Sequence, residues 1–193
     1  RLRDAAAAPC NGPPRSTDGD RFLPNSMKPY TTTVTIDRPL DQVLALYDSI
    51  DHLKGWQPTL QSVRPIEGEP GAVGSQVELT YQMGKGEMQM IETVVHNDLP
   101  ERQVLQFETK GVTNITTSRF EPIGDQQTRW EMTSEFRFRG LVWKIMSRLM
   151  KSAFPKQTLT AMTAFKEYAE SDPSLSGADG PEEADAAEKS APV

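Results

Sequence analysis

Apolar and polar residues follow two different rhythms along this chain, and the places where the rhythm changes mark its elements. The stretch TTTVTI, residues 31–36, is β-branched throughout and reads as a strand. RPLDQVLALYDSI then puts apolar side chains at positions 40, 43, 44, 46, 47 and 50, which is helical spacing. Pro39 suits the start of that helix, where its missing N–H costs nothing. A second short helix is predicted over SIDHLKG, ending at Gly55 before Trp56.

Past Trp56 a period of two takes over. QSVRPIE (61–67) leads into GEPGAVG, and GSQVELTYQM sets Val77, Leu79, Tyr81 and Met83 on one face against Gln76, Glu78, Thr80 and Gln82 on the other. GKG at 84–86 is a tight hairpin turn, EMQMIETVVH returns, and NDLPE turns again. RQVLQFETK carries Leu105 and Phe107 on one side, and VTNITTSRFEPI follows. After GDQQ, TRWEMTSEFRF aligns Trp130, Met132, Ser134, Phe136 and Phe138. Seven strands result, the last six joined by short turns, so these neighbours must run antiparallel. A sheet with one apolar face needs a cover, and only helices are left to supply it. The pattern therefore predicts an α+β domain.

The cover is LVWKIMSRLMKSAFPKQTLTAMTAFKEYAE, residues 141–170. Its apolar positions, 142, 145, 146, 149, 150 and 153, then 159, 162, 165 and 169, form one stripe, with a kink or break expected at Pro155. Lys144, Arg148 and Lys151 share the opposite face, and with Arg137, Arg139 and Lys156 they make a basic stretch without an acid. Such a helix could lie on an anionic membrane. Membrane contact is the less favoured reading, because the sheet would then lose its only long cover.

Charge sharpens the limits of the domain. The chain has 21 Lys plus Arg against 27 Asp plus Glu, but from Glu170 onward seven acids face one lysine. Between Met27 and Ala169 there are 16 basic and 17 acidic residues, a balance that argues against binding nucleic acid through phosphates. Residues 1–26 mix Pro, Gly, Ala and charge without a period and read as a disordered extension. Met27, just before the first patterned segment, reads as a candidate native start. The domain is expected over 27–170, and 171–193 as an acidic disordered tail. One cysteine, Cys10, allows no intrachain disulfide, and His52 and His96 show no metal-ligand spacing. No apolar run reaches the roughly 18 residues a spanning helix needs. A cytoplasmic monomer or homodimer without cofactor or metal is the expectation.

The order strand, two short helices, six-strand meander and long last helix resembles the START-like (SRPBCC) superfamily, in particular its polyketide cyclase/dehydrase and lipid-transport group. The similarity covers roughly Tyr30 to Ala169. It rests on VTIDRPLDQVLALYDSIDHLKGWQP, on GAVGSQVEL, on NDLPERQVLQF and on GDQQTRWEMTSEF, taken in that order. The resemblance implies a helix-grip fold, in which a curved antiparallel seven-stranded sheet wraps around the C-terminal helix and leaves a cavity for an apolar or amphipathic ligand. Candidate wall residues are Trp56, Leu79, Tyr81, Met83, Met90, Phe107, Thr116, Ser118, Trp130, Met132 and Phe136, with Met146, Met150, Phe154 and Met162 facing them from the helix. Methionine adapts to irregular ligands, although it also fills ordinary cores.

Chemistry is less legible. Glu92 and His96 share the face of Met90 in a regular strand, but the alternate face of Ile91, Thr93 and Val95 is as apolar, so periodicity leaves the inward side open. Arg119 has the same ambiguity between Ile115, Thr117 and Arg119 on one face and Thr116, Ser118 and Phe120 on the other. Glu92, His96 and Arg119 are the acid–base candidates, and His52 could stand near a cavity mouth. No triad order, phosphate loop, CxxC or carboxylate dyad stands out. Three readings follow: a binder or carrier of a hydrophobic molecule, which is favoured; a cyclase/dehydratase-like enzyme on an aromatic or polyketide substrate; and a membrane-docked lipid handler.

Overall fold

The computed structural model describes residues 26–140 and 152–171. Its elements are β1 (Tyr30–Ile36), α1 (Leu40–Tyr47), α2 (Ile50–Trp56), β2 (Leu60–Glu67), β3 (Gln76–Met83), β4 (Gly86–Asp98), β5 (Arg102–Thr109), β6 (Val112–Ile123), β7 (Gln127–Phe138) and α3 (Ala153–Ser171). The strands form one antiparallel sheet in the order β1-β7-β6-β5-β4-β3-β2. Short turns dictate the meander from β2 to β7, as expected. β1 joins its far end by pairing with β7, from Tyr30 opposite Ser134 to Ile36 opposite Thr128. The pairing continues upstream, where Ser26 bridges Arg137, one residue inside the segment expected to be disordered. This is an α+β helix-grip fold, a curved sheet closed over the last helix.

Two helix readings need correction. Trp56 is the last residue of α2, beyond the expected end at Gly55. Leu159 belongs to the expected apolar stripe of α3, yet it is 45% exposed. At about 100° per residue it lies about 120° around the helix from Phe165, off the buried side. Pro155 falls in the first turn of α3, where a missing N–H is tolerated. Residues 141–151, which include Met146, Met150 and the basic face at Lys144, Arg148 and Lys151, lie outside the described residues.

The densest packing is at the β6–β7 side of the inner face. Ile36, Val43, Leu46, Phe120, Trp130, Met162, Phe165 and Ala169 form one buried cluster. Phe120 and Trp130 stack at 5.5 Å, and Phe165 meets Trp130 edge-on at 5.4 Å. Beside it the C-terminal end of α3 is clasped to the β1–α1 junction. Arg38 donates from Nε to the Ala169 carbonyl (3.1 Å) and from Nη2 to the Glu170 carbonyl (2.9 Å), while its own carbonyl accepts from Thr128 Oγ1 (2.9 Å). A guanidinium satisfies carbonyls that the end of a helix leaves open, and its charge suits the helix dipole there. Lys166 Nζ reaches the Thr35 carbonyl and Glu170, and Glu170 in turn accepts from the Asp37 amide. A second, smaller cluster of Leu60, Val77 and Leu79 seats α2 on β2 and β3 through Ile50 and Leu53.

Candidate functional site

Between the sheet's inner face, α2 and α3 lies a cavity of about 850 Å³. That is within the range of small-molecule sites, roughly 300–1,000 Å³. α3 faces the cavity with two kinds of residue. Phe165 and Ala169 fill the aromatic cluster, Met162 is shared between that cluster and the wall, and Phe154, Gln157, Thr158, Thr160, Ala161 and Ala164 complete the described helix side of the lining. Across from them Met88 and Met90 of β4, Tyr81 and Met83 of β3, and Leu105 and Phe107 of β5 line the sheet side. Met83 is 51% exposed and stands at the rim.

β4 places the one acid deep in this wall. Glu92 pairs with Val77 on one side and Phe107 on the other, so its carboxyl points with theirs to the inner face. Among the described residues it has no hydrogen bond or ion pair, and burial pushes it up to about 7 from the usual 4.5. Nearby, burial also raises the phenols of Tyr47 and Tyr81, and the Glu92 charge adds to both shifts. These hydroxyls are held in place. Tyr81 donates to Gln57 Oε1 at 2.6 Å, and Tyr47 shares a hydrogen bond of 3.1 Å with Ser118 Oγ, which also accepts from Trp130 Nε1 at 3.2 Å. Asp48, at the end of α1, is the second acid on the wall and is likewise raised by burial.

Other polar atoms in the wall are buried without a partner among the described residues: Trp56 Nε1, Gln103 Oε1, Asn114 Oδ1 and Ser134 Oγ. Gln103 is oriented by a relay. Asn97 Nδ2 donates to the Gly71 carbonyl (2.9 Å), which leaves Asn97 Oδ1 to accept from Gln103 Nε2 (3.4 Å). The Gln103 carbonyl oxygen is thereby left as an acceptor with no donor. Among the described residues no group of three His, Cys, Asp or Glu side chains could hold a metal ion.

Residues 27–170 match the family model described as polyketide cyclase / dehydrase and lipid transport. The chain belongs to that family. Solved structures place this family member among helix-grip proteins. ZhuI aromatase/cyclase from Streptomyces sp. R1128 superposes with a TM-score of 0.63 at 17% identity, covering 74% of this chain and 93% of that one. Truncated norcoclaurine synthase from Thalictrum flavum gives 0.61 at 16% identity, over 77% and 97% of the two chains. A protein from Thermus thermophilus gives 0.60 at 15% identity, over 74% and 97%. At these identities the likeness is one of fold. No curated protein sequence is significantly similar to the chain.

Within this family member the sequence candidates separate clearly. Trp56, Tyr81, Met83, Met90, Phe107, Thr116, Trp130, Met132, Phe136, Phe154 and Met162 line the cavity. Leu79 and Ser118 do not. Leu79 is buried beneath the wall in the α2–β3 cluster, and Ser118 is consumed by its bonds to Tyr47 and Trp130. Met146 and Met150 fall outside the described residues.

Of the acid–base candidates only Glu92 lines the cavity. A β-bulge at Val95 breaks the alternation, so Val94 pairs with Leu105 but His96 pairs with Val104. His96 is thereby turned to the outer face, opposite Glu92. Arg119 pairs with Glu131 on the outer face, beside a separate hollow of about 320 Å³ at Pro100 and Pro122. His52 is not at the mouth either, since its Nδ1 is hydrogen-bonded to the Tyr168 hydroxyl at 2.6 Å. Asp48, Gln103 and Asn114 were missed. Asn114 sits at alternate positions with Thr116, a signal available once the inward face was known. The Gln157, Thr160, Ala161, Ala164 stripe was also legible as small and polar residues at helical spacing.

Proposed function

We propose that this protein binds a hydrophobic or amphipathic small molecule between its sheet and C-terminal helix. One observation carries the reading: the cavity of about 850 Å³ has an apolar wall of methionines and aromatic rings with a few fixed polar groups. A fully packed domain would have filled that space, because interiors are close-packed and voids larger than a water are few. The neutral fluorophore N-phenylnaphthylamine should bind saturably with enhanced emission. Ala161→Trp, which projects an indole from α3 into the space, should weaken that binding at least about tenfold, or about 1.4 kcal/mol, without lowering thermal stability. Absence of saturable binding, or equal affinity in Ala161→Trp, would overturn the proposal.

A second reading, proton-transfer catalysis of the cyclase/dehydratase kind, is favoured by Glu92 alone. A carboxyl near neutrality on a cavity wall can act as general acid or base. Glu92→Gln separates the two readings, since a carrier retains N-phenylnaphthylamine binding and an enzyme loses turnover of its substrate while still binding it.

A further inference from the structure

The charges on the cavity wall are one-sided. Its described lining includes two carboxyl groups, Asp48 and Glu92, and no lysine, arginine or histidine. Among the described wall atoms without a partner, Gln103 Oε1 and Asn114 Oδ1 are acceptors against one donor, Trp56 Nε1, while Ser134 Oγ can serve as either; Gln103 is only 4% exposed with its amide nitrogen already committed to Asn97. The phenol of Tyr81 has spent its proton on Gln57. A buried acceptor left without a donor is destabilising, so the wall favours a guest that brings donors. A carboxylate guest would bring a further negative charge to two acids with no described cation to offset it.

Resting on the reading that the cavity holds a small molecule, we propose that its ligand is an apolar amine, seated with its ammonium group on Glu92, and that the cavity rejects carboxylates of the same shape. An ammonium offers three donors and the missing counter-charge in one group. The described elements around Glu92 leave room for that charge. β3 presents Val77 and the Tyr81 phenol, β5 presents Phe107, and α1 presents the Tyr47 phenol with Asp48 next to it. α3 contributes Gln157, Thr158, Ala161 and Ala164 to the wall, none of them charged. Asn114 lies in the same cross-strand row two strands away, about 10 Å at the usual strand spacing, where a hydroxyl elsewhere on the ligand would meet it.

The test uses three probes with one apolar body, naphthylethylamine, naphthylethanol and naphthylacetate, titrated calorimetrically into the full chain at neutral pH. The amine should bind at least about tenfold tighter than the alcohol, and the acetate should not bind measurably. Pairing with the ammonium draws the proton from Glu92, so the amine's binding enthalpy should change with the ionisation enthalpy of the buffer. In Glu92→Gln that dependence should vanish and the amine should fall to the affinity of the alcohol. Acetate binding as tight as the amine's, or an amine affinity unchanged in Glu92→Gln, would overturn the proposal while leaving the cavity reading intact. Failure of all three probes would overturn both.

Discussion

Along β6 and β7, Phe120 and Trp130 lie ring on ring, with Tyr47 and Phe165 closing on them edge-on at 4.8 to 5.4 Å. Along β3 and β4, on the same inner face, Met83, Met88 and Met90 look into empty volume. Both regions are apolar, so hydrophobicity alone does not separate a core from a binding cavity. Among the described residues, what separates them is how fully the helices fill the facing space. Phe165 and Leu46 close one side, Met162 borders both, and Ala161 and Ala164 are the small members of the helix wall on the other. A cavity in this architecture is thus written in α3 as much as in the sheet.

The sharpest way to break that comparison is at its packed end. Phe165 is 0% exposed and touches three aromatic rings, so Phe165→Ala should cost about 3–5 kcal/mol in chemical denaturation. A loss below about 1 kcal/mol would mean this end is as loose as the other.

Glu92 gives the next effect, and its sign is fixed by linkage. Its folded-state value, about 7, exceeds the ordinary 4.5, so the folded state holds the proton more tightly. Stability should be full below about 4.5 and fall as pH rises to about 7, at no more than about 1.4 kcal/mol per unit. Glu92→Gln should match the parent at pH values near 4.5 and exceed it above 7, by at most about 3 kcal/mol, in melts across that window. Parallel melting curves at every pH would show that Glu92 is solvated.

On the open side, Met90→Ala removes a side chain that already borders empty space. Its cost should stay near 1 kcal/mol, at the low end for apolar truncation, while N-phenylnaphthylamine affinity changes severalfold. Arg119→Ala should do least, shifting stability by no more than about 0.5 kcal/mol and leaving probe binding unchanged, because Arg119 stands on the outer face.

Much of this plan was readable in the chain. Alternation located all seven strands, and β7 put Trp130, Met132, Ser134, Phe136 and Phe138 on one face, where the structure has them. Short turns made the meander antiparallel. The pairing of β1 with β7 could not be read the same way, since more than 90 residues separate the partners and no local turn dictates it.

The site was less legible for two physical reasons. β4 is apolar on both parities, so only its neighbours decide which face turns inward, and they chose Met90, Glu92 and Val94. The bulge at Val95 then moved His96 to the other face, and one inserted residue leaves little trace in a hydrophobic pattern. Gln103 and Asn114 escaped notice because an amide on a strand looks solvent-facing until the opposite strand is known.

The Arg38 clasp gives the C-terminal helix an uneven grip on the domain. At Ala169 and Glu170 the helix is tied to the β1–α1 junction through several side-chain and backbone hydrogen bonds, whereas towards its other end the described ties are one hydrogen bond between the Thr158 and Tyr30 hydroxyls and the ring contacts of Phe154 with Phe136 and Phe138. Slow amide deuteration should therefore grade along the helix, with the last turn among the most protected in the protein and the first turn exchanging by local fraying.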